Sequence, residues 1–222
     1  MPPTLRFLLA ARRSELHGLE TLASTCELAT RVSKLAHVLQ KERGCSNLYL
    51  CGGSDALRPT LAGLSSDASA VEEEVRRFLD RLEPDVTRSA GKARLLNCVA
   101  YALYRLDELP RLRGRIRDRR VVAEEAGAAF TRLIASLFAL VFEAADSSLD
   151  AGVTQLLVAL LNFMQGKELC GQERAHGVMG YTAGFFTEPQ KVRLLELADL
   201  QKRCFDGFAQ CAAPDALAAW EQ

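Results

Sequence analysis

The 222-residue chain lacks the patterns that mark most enzyme and metal-binding classes. It has no Ser-His-Asp pattern, no glycine-rich phosphate loop and no pair of ligands at zinc spacing. Lys+Arg and Asp+Glu are equal at 28 each, which argues against a general electrostatic attraction to nucleic acid or to an anionic membrane. We therefore expect no catalytic residue, no metal and no cofactor.

Long apolar runs and an export signal are also missing. The longest apolar stretch, 133–142, is about half the length of a membrane span and is interrupted by Ser136. The N-terminal residues lack the apolar region and cleavage pattern of a signal peptide. We expect a cytoplasmic protein with no membrane contact.

Cysteine is present but does not form a disulfide pattern. The seven cysteines are an odd number, with no Cys-x-x-Cys spacing. A disulfide framework is not expected in a chain long enough to bury a core. The helical positions of Cys45, Cys98, Cys170 and Cys204 favour small buried hydrophobes, with redox sensing and metal binding as weaker alternatives.

Strand signals are sparse, and helical periodicity covers nearly the whole chain. Asp150 is predicted to cap one helix, and Thr187-Glu188-Pro189-Gln190 to form a capping box that starts another. The predicted helices cover about 5–17, 20–50, 67–82, 88–109, 120–145, 150–178 and 187–210, with a break at 180–186 and a short turn after Pro214. Short connections between long helices predict an all-α protein of antiparallel bundles, in one domain over 1–222.

Two polar phrases interrupt these helices. The first is Gln40-Lys41-Glu42-Arg43-Gly44, where the apolar stripe Leu28, Val32, Leu35, Leu39, Ser46, Leu50 meets Glu42 or Arg43. The second lies within 165–175, where an apolar edge running through Leu156, Leu160 and Phe163 continues as Lys167, Cys170 and Arg174. Charges on a core-facing stripe are costly unless something pairs them.

Two chemistries satisfy such buried arginines. Guanidinium groups match a planar oxyanion with parallel N–H donors, so Arg43 and Arg174 could bind one small anion such as nitrate. The amides of Gln40, Asn47 and Gln172 would supply further donors. Alternatively, Glu42 with Arg43 and Glu173 with Arg174 could pair across helices as structural salt bridges.

The sequence of these two phrases resembles that of the nitrate- and nitrite-sensing (NIT) domain family, which is found in nitrate-responsive transcription antitermination regulators. The matching segments are LAHVLQKERGCSNLYLCGG and LLNFMQGKELCGQERAHG, and Gln201 and Phe205 fit the closing helix. The similarity extends over about 28–208. The second phrase is the more specific of the two.

This resemblance implies two fused or stacked four-helix bundles with an anion site between helices. It assigns Arg43 and Arg174 as ligands for nitrate or nitrite and Arg113 as a possible third basic contributor. It also implies a population shift, in which the anion draws the helices together and the change reaches a homodimer or partner surface. Members of the family usually carry an output domain, and no separate one is recognised here, so we expect a partner protein or a longer regulator.

Three other readings remain. Glu173 and His176 have the Glu-x-x-His spacing of di-iron bundles, but no second copy exists. The run 111–120 holds six arginines, which favours a solvated face over a partner-docking surface or an RNA contact. A helical interaction bundle with structural ion pairs and no small-molecule ligand is the alternative to the sensor.

Overall fold

The computed structural model describes residues 2–52, 55–81, 90–146, 148 and 150–220. All regular structure in these residues is helical, which confirms the predicted all-α class. The helices are α1 Pro3–Gly52, α2 Arg58–Leu79, α3 Ala90–Asp107, α4 Leu109–Arg117, α5 Ala123–Asp146, α6 Ala151–Ala183, α7 Glu188–Cys211 and α8 Pro214–Trp220. A short 3-10 turn, Asp55–Leu57, joins α1 to α2.

Helix α1 is one continuous helix of 50 residues, so the predicted break between 17 and 20 is wrong. Gly18 suggested the break, but one exposed glycine costs a helix only about 1 kcal/mol. The two halves of α1 differ in burial. Residues 2–21 are all exposed, whereas the stripe that starts at Leu28 is packed in the core.

Helix α5 lies at the centre of the core. Its buried residues pack against α1, α3 and α6, while α2 covers another face of α1. By length and composition α5 is also the one helix in the described part of the chain that could cross a membrane. Its most apolar window is 56% buried within the protein, as is usual for a core helix.

Helices α6 and α7 form an antiparallel hairpin. The Asp150 side chain accepts from Val153 N at 2.8 Å, which confirms the predicted cap of α6. Helix α6 continues to Ala183, beyond the predicted end near 178, and Gly184 terminates it with a φ of 77°. Thr187 and Gln190 form the predicted capping box of α7.

Of the remaining boundaries, the start of α2 differs most from the prediction. Helix α2 starts at Arg58, nine residues before the prediction, because Pro59 fits its first turn. Helix α3 ends at Asp107, two residues before the predicted end, and Pro110 lies in the first turn of α4, a helix that the sequence analysis did not predict. Predicted helix ends that fall within 82–89 lie outside the described residues. Phe163, Phe205, Phe208 and Trp220 cluster where α6, α7 and α8 meet, and the arrangement is consistent with two stacked four-helix bundles.

Candidate functional site

The crossing of α1, α5 and α6 buries a charged pair. Arg43 is 4% exposed and Glu168 is 6% exposed, and the Arg43 guanidinium donates to the Glu168 carboxylate. Arg43 Nη1 also donates to Thr131 Oγ1 on α5 at 3.0 Å. One cation therefore joins three helices. Removing one partner of such a buried pair typically costs 3–5 kcal/mol.

Two predicted amide residues complete the surroundings of Glu168. Gln40 Nε2 donates to its Oε2 at 3.0 Å, and Gln172 Nε2 donates to its Oε1 at 3.0 Å. The carboxylate thus accepts from one guanidinium and two amides. These hydrogen bonds offset part of the cost of burying the carboxylate.

Each arginine lies over a glycine of the opposite helix. A Cβ on Gly171 would be 2.6 Å from Arg43 Nη2, and a Cβ on Gly44 would be 3.4 Å from Arg174 Nη2. The two glycines therefore let α1 and α6 approach closely enough to bring both guanidinium groups to one crossing. Asn47, the remaining predicted amide, makes a weak contact from Nδ2 to Ala175 O at 3.5 Å.

Arg174 differs from Arg43 in its partners. It is exposed, and it makes no hydrogen bond or ion pair with the residues that the structure describes. Its neighbour Glu173 faces α7 instead, where Gln201 Nε2 donates to Glu173 Oε2 at 2.7 Å. The alternative pairing of Glu173 with Arg174 is therefore not the one seen. Arg174 places an uncompensated positive charge at the rim of the crossing.

Arg113 belongs to a second network. Its Nε donates to Glu42 Oε1 at 2.7 Å and its Nη2 to Glu42 Oε2 at 2.8 Å, while Ser65 Oγ donates to Glu42 Oε1 at 2.7 Å. Adjacent residues on a helix point about 100° apart, so Glu42 faces α2 and α4 while Arg43 faces α5 and α6. Within the described residues no contact joins Arg113 to the other five predicted ligands.

A basic cluster lies next to the crossing. Lys167 Nζ contacts His37 Nδ1 between α6 and α1. Burial lowers the pKa of Lys167, and Lys41 lowers it further, against the opposing effect of Glu168. Burial, then Lys167 and Lys41, lowers the pKa of His37. None of these groups was a predicted ligand. The sequence analysis named Lys167 only as part of the helix edge that leads to Arg174.

Glu168 is the main residue that the sequence analysis missed. The buried face of α6 runs Leu157, Leu161, Met164, Glu168, one residue away from the predicted edge, and Leu156 is 51% exposed. Steps of four, three and four lead straight to this glutamate, so the signal was present in the sequence. Because leucines stand in pairs at 156–157 and 160–161, either of two adjacent helix faces could have been the buried one. The prediction followed only the edge that contains Leu156 and Leu160.

The other motifs form no further centre. In the described part of the chain no group of three or more His, Cys, Asp or Glu residues could hold a metal ion. All seven cysteines are free; Cys26 is exposed and the others are half-buried rather than fully buried. Burial raises the pKa of the Cys45 and Cys170 thiols, which disfavours the reactive thiolate.

The arginine run on α4 is largely used within the fold. Arg115 Nη1 lies 2.8 Å from Glu125 Oε1, and Arg119 Nη2 lies 3.1 Å from Asp55 Oδ1. The Arg119 guanidinium also lies over the Tyr49 ring. These pairs leave the run less positive than its composition indicates.

Comparisons with known proteins show which family the chain resembles. A family model described as nitrate and nitrite sensing matches residues 34–222. The nitrate regulatory protein of Klebsiella oxytoca is 40% identical over 213 residues, covering 96% of this chain and 52% of that protein. The solved structure of the NasR transcription antiterminator superposes with a TM-score of 0.86 at 36% identity, covering 98% of this chain and 58% of that one.

The chain therefore spans about half the length of these relatives. Its match to the family model includes both polar phrases, and with them Arg43, Glu168 and Arg174. The all-helical fold, the sequence phrases and the extent of the match lead to one assignment: the chain belongs to the nitrate- and nitrite-sensing (NIT) family.

Proposed function

We propose that the chain binds nitrate or nitrite at the α1–α6 crossing and regulates a partner through the resulting helix rearrangement. Arg43 and Arg174 are the proposed ligands, supported by the amides of Gln40, Asn47 and Gln172. The observation that carries the proposal is Arg174, which has no ion-pair partner in the described part of the chain and lies at the crossing that buries Arg43, with each arginine over a glycine of the other helix. A planar anion would supply the missing counter-charge.

The proposed switch exchanges one counter-ion of Arg43 for another. In the structure described here, Glu168 neutralises Arg43. An anion between Arg43 and Arg174 would compete with this carboxylate and favour a different approach of α1 and α6. Only an anion with different affinities for the two arrangements shifts their balance, and couplings of 1–3 kcal/mol are typical.

Arg113 takes a different role in this proposal. The bidentate contact with Glu42 already satisfies its charge, so we place it outside the ligand set. Its function would be to fix α4 against α1. The sensor then needs no catalytic group, and we propose that the chain is not an enzyme.

A thermal-unfolding screen tests the proposal. The chain is heated with sodium nitrate, nitrite, chloride, sulfate or phosphate at matched ionic strength. An anion at 100 times its Kd adds about 2.7 kcal/mol, which corresponds to roughly 5–11 °C for a domain of this size. We expect this shift with nitrate or nitrite and its loss in Arg174→Ala. Arg203→Ala, an exposed arginine on α7, is the matched control and should keep the shift.

The alternative is an interaction bundle in which the ion pairs are purely structural. The buried Arg43–Glu168 pair is the observation that favours it. That reading predicts no selective shift with any of the five anions, and equal melting temperatures for Arg174→Ala and Arg203→Ala under all conditions. Such a result would remove the sensor proposal.

We also propose a homodimer through the exposed half of α1. Leu5, Leu8, Leu9, Leu16 and Leu19 form a stripe there and are 42–63% exposed. An isolated helix of this length is marginal in water without packing. The charges in 3–27 are three arginines followed by three glutamates, so an antiparallel second copy places basic residues against acidic ones.

Light scattering tests this dimer. The double variant Leu9→Glu, Leu16→Glu should be monomeric, whereas Leu195→Glu, on an exposed α7 position, should not change the mass. A wild-type monomer at high protein concentration would contradict the proposal. The cytoplasmic location, the output partner and the absence of direct nucleic-acid binding by this chain remain proposals that extend the resemblance to nitrate-responsive regulators.

A further inference from the structure

A cleft of about 130 Å³ lies between α1, α5 and α6, beside the Arg43–Glu168 pair. Its polar lining consists of Ser33, His37 and Gln40 on α1 and Lys167 on α6, and its walls are largely apolar, including Phe138 on α5. A water molecule occupies about 30 Å³ in the liquid, so this space holds several waters or one small oxyanion.

The charges around the cleft are out of balance. The buried Arg43 and the half-buried Arg113 each have a direct carboxylate partner, Glu168 and Glu42 respectively. Lys167 instead contacts His37, and Lys41 lies close enough to both to lower their pKa values. Lys167 and His37 are thus both partly buried at this cleft, and the exposed Lys41 adds a third basic group nearby.

The groups that face His37 define what can stabilise its charge. Lys167 from α6 and Lys41 from α1 oppose its protonation, while Glu168 acts only on Lys167. Helix α5 contributes the apolar Phe138 to the lining. Because both burial and like charge penalise the cationic forms, an anion in the cleft would be stabilised by the same groups that now repel one another.

The cleft is also connected to the charged pair. Gln40 lines it and donates to Glu168 Oε2 at 3.0 Å. An occupant that draws the Gln40 amide toward itself removes one donor from Glu168 and so changes how that carboxylate is held against Arg43. Lys167 precedes Glu168 directly in the chain, so its movement shifts the same turn of α6.

We propose that the cleft is an oxyanion-binding subsite in which Lys167 and His37 supply charge and Gln40 supplies an amide donor. The identity of the anion rests on the proposed function, so nitrate or nitrite is the expected occupant. The subsite is distinct from the Arg43–Arg174 pair and acts on it through Gln40 and Glu168. Binding then takes up a proton, because the bound anion favours the cationic forms of His37 and Lys167.

Isothermal titration calorimetry of the full chain tests this subsite. Sodium nitrate, sodium nitrite and sodium chloride are titrated near pH 7 in two buffers of different ionisation enthalpy, which reports the protons taken up. We expect net proton uptake with nitrate or nitrite. Lys167→Met and His37→Gln should each weaken binding at least tenfold and reduce the uptake. Lys202→Met, which removes an exposed lysine on α7, should behave as the wild type.

The outcomes separate this inference from the proposed function. If nitrate binds Lys167→Met and His37→Gln with wild-type affinity and proton uptake, the subsite proposal is overturned and the arginine site stands. If the wild type binds none of the three anions, the proposed function fails together with the subsite. His37→Gln keeps the test decisive if Lys167→Met does not fold, and the ring 15N signals of His37 should show a raised pKa in saturating nitrate.

Discussion

Two buried arginine–glutamate pairs start from adjacent residues of α1, and they differ in their surroundings. Glu42 receives two parallel donors from Arg113 and a hydroxyl from Ser65, and Glu72 adds a second carboxylate 3.8 Å from Arg113. On the other face Arg43 shares the single carboxylate of Glu168 with the amides, while Arg174 has no counter-ion among the residues that the structure describes.

The balance of charges, more than the presence of buried arginine, distinguishes the two faces. The Glu42 face has at least as many carboxylates as cations, and its hydrogen bonds are already made. The Arg43 face has an excess of cations, because Arg174, Lys167 and Lys41 lie near one glutamate. A pair whose charges and hydrogen bonds are all satisfied stabilises the fold, whereas an excess of positive charge can be satisfied by an anionic ligand.

The largest effect is expected when the saturated face is broken. Glu42→Ala leaves Arg113 half-buried without its main partner, and truncating one side of a buried pair costs about 3–5 kcal/mol. For a domain of this size, we expect the melting temperature to fall by roughly 6–20 °C. Differential scanning calorimetry measures this fall.

The same variant should keep its response to nitrate, because Glu42 faces away from the proposed site. Ser69→Ala, which removes only the hydroxyl that accepts from Arg113 Nη1 at 2.8 Å, is the milder control and should cost about 1 kcal/mol. A Glu42→Ala protein that melts normally, or that melts lower and loses its nitrate shift, would contradict the separation of the two faces.

The next effect concerns the close contact at the other face. A methyl group on Gly171 would lie 2.6 Å from Arg43 Nη2, and the guanidinium can move only by weakening its contact with Glu168. Overpacking of this kind typically costs 1–3 kcal/mol. We therefore expect Gly171→Ala to lower the urea midpoint and to change the nitrate affinity.

Gly177→Ala is the matched control for Gly171→Ala. It lies in the same helix with nothing within 4 Å of the added methyl, so it should be stabilising by about 0.5–1 kcal/mol. Equal effects of the two substitutions would mean that the arginine contact contributes nothing and that only helix propensity was changed.

The sequence predicts those structural features that depend only on neighbouring residues. The caps at Asp150 and Thr187 and the buried stripe from Leu28 to Ser46 were predicted because each depends on residues within a few positions. The predicted break near Gly18 is wrong because one glycine costs too little to end a helix that continues for many residues on both sides. The early start of α2 was missed although Leu61 and Leu64 continue the apolar stripe of Ala68 and Val71 at steps of three and four.

The partners of the buried charges could not be predicted in the same way. Arg43 had three candidate carboxylates in the two phrases, at 42, 168 and 173, and only the packing of α1 on α6 selects Glu168, 125 residues away. Arg113 was grouped with the anion ligands by resemblance, whereas the structure assigns it to Glu42. The charge pattern of the sequence indicated that these buried arginines need a counter-charge, but it did not indicate which residue supplies it.

The smallest expected effect separates the two faces by pH. Burial, Lys167 and Lys41 lower the pKa of His37 below its usual value of 6.5, whereas the Glu42 network contains no histidine. Between the lowered pKa and 6.5 the unfolded chain binds more protons than the folded one. The free energy of unfolding should therefore fall as the pH is lowered through this window and level off below it.

His176 contributes in the same direction, since burial and Arg193 lower its pKa against the opposing effect of Glu124. Urea unfolding of His37→Gln between pH 7.5 and 5 should consequently show a smaller slope than the wild type, though not a flat one. His17→Gln, on the exposed half of α1, should keep the wild-type slope. If the free energy of unfolding of His37→Gln changed with pH as in the wild type, the positive charge beside Glu168 would already be compensated in the free protein. The difference between the two faces of α1 would then depend on Arg174 alone.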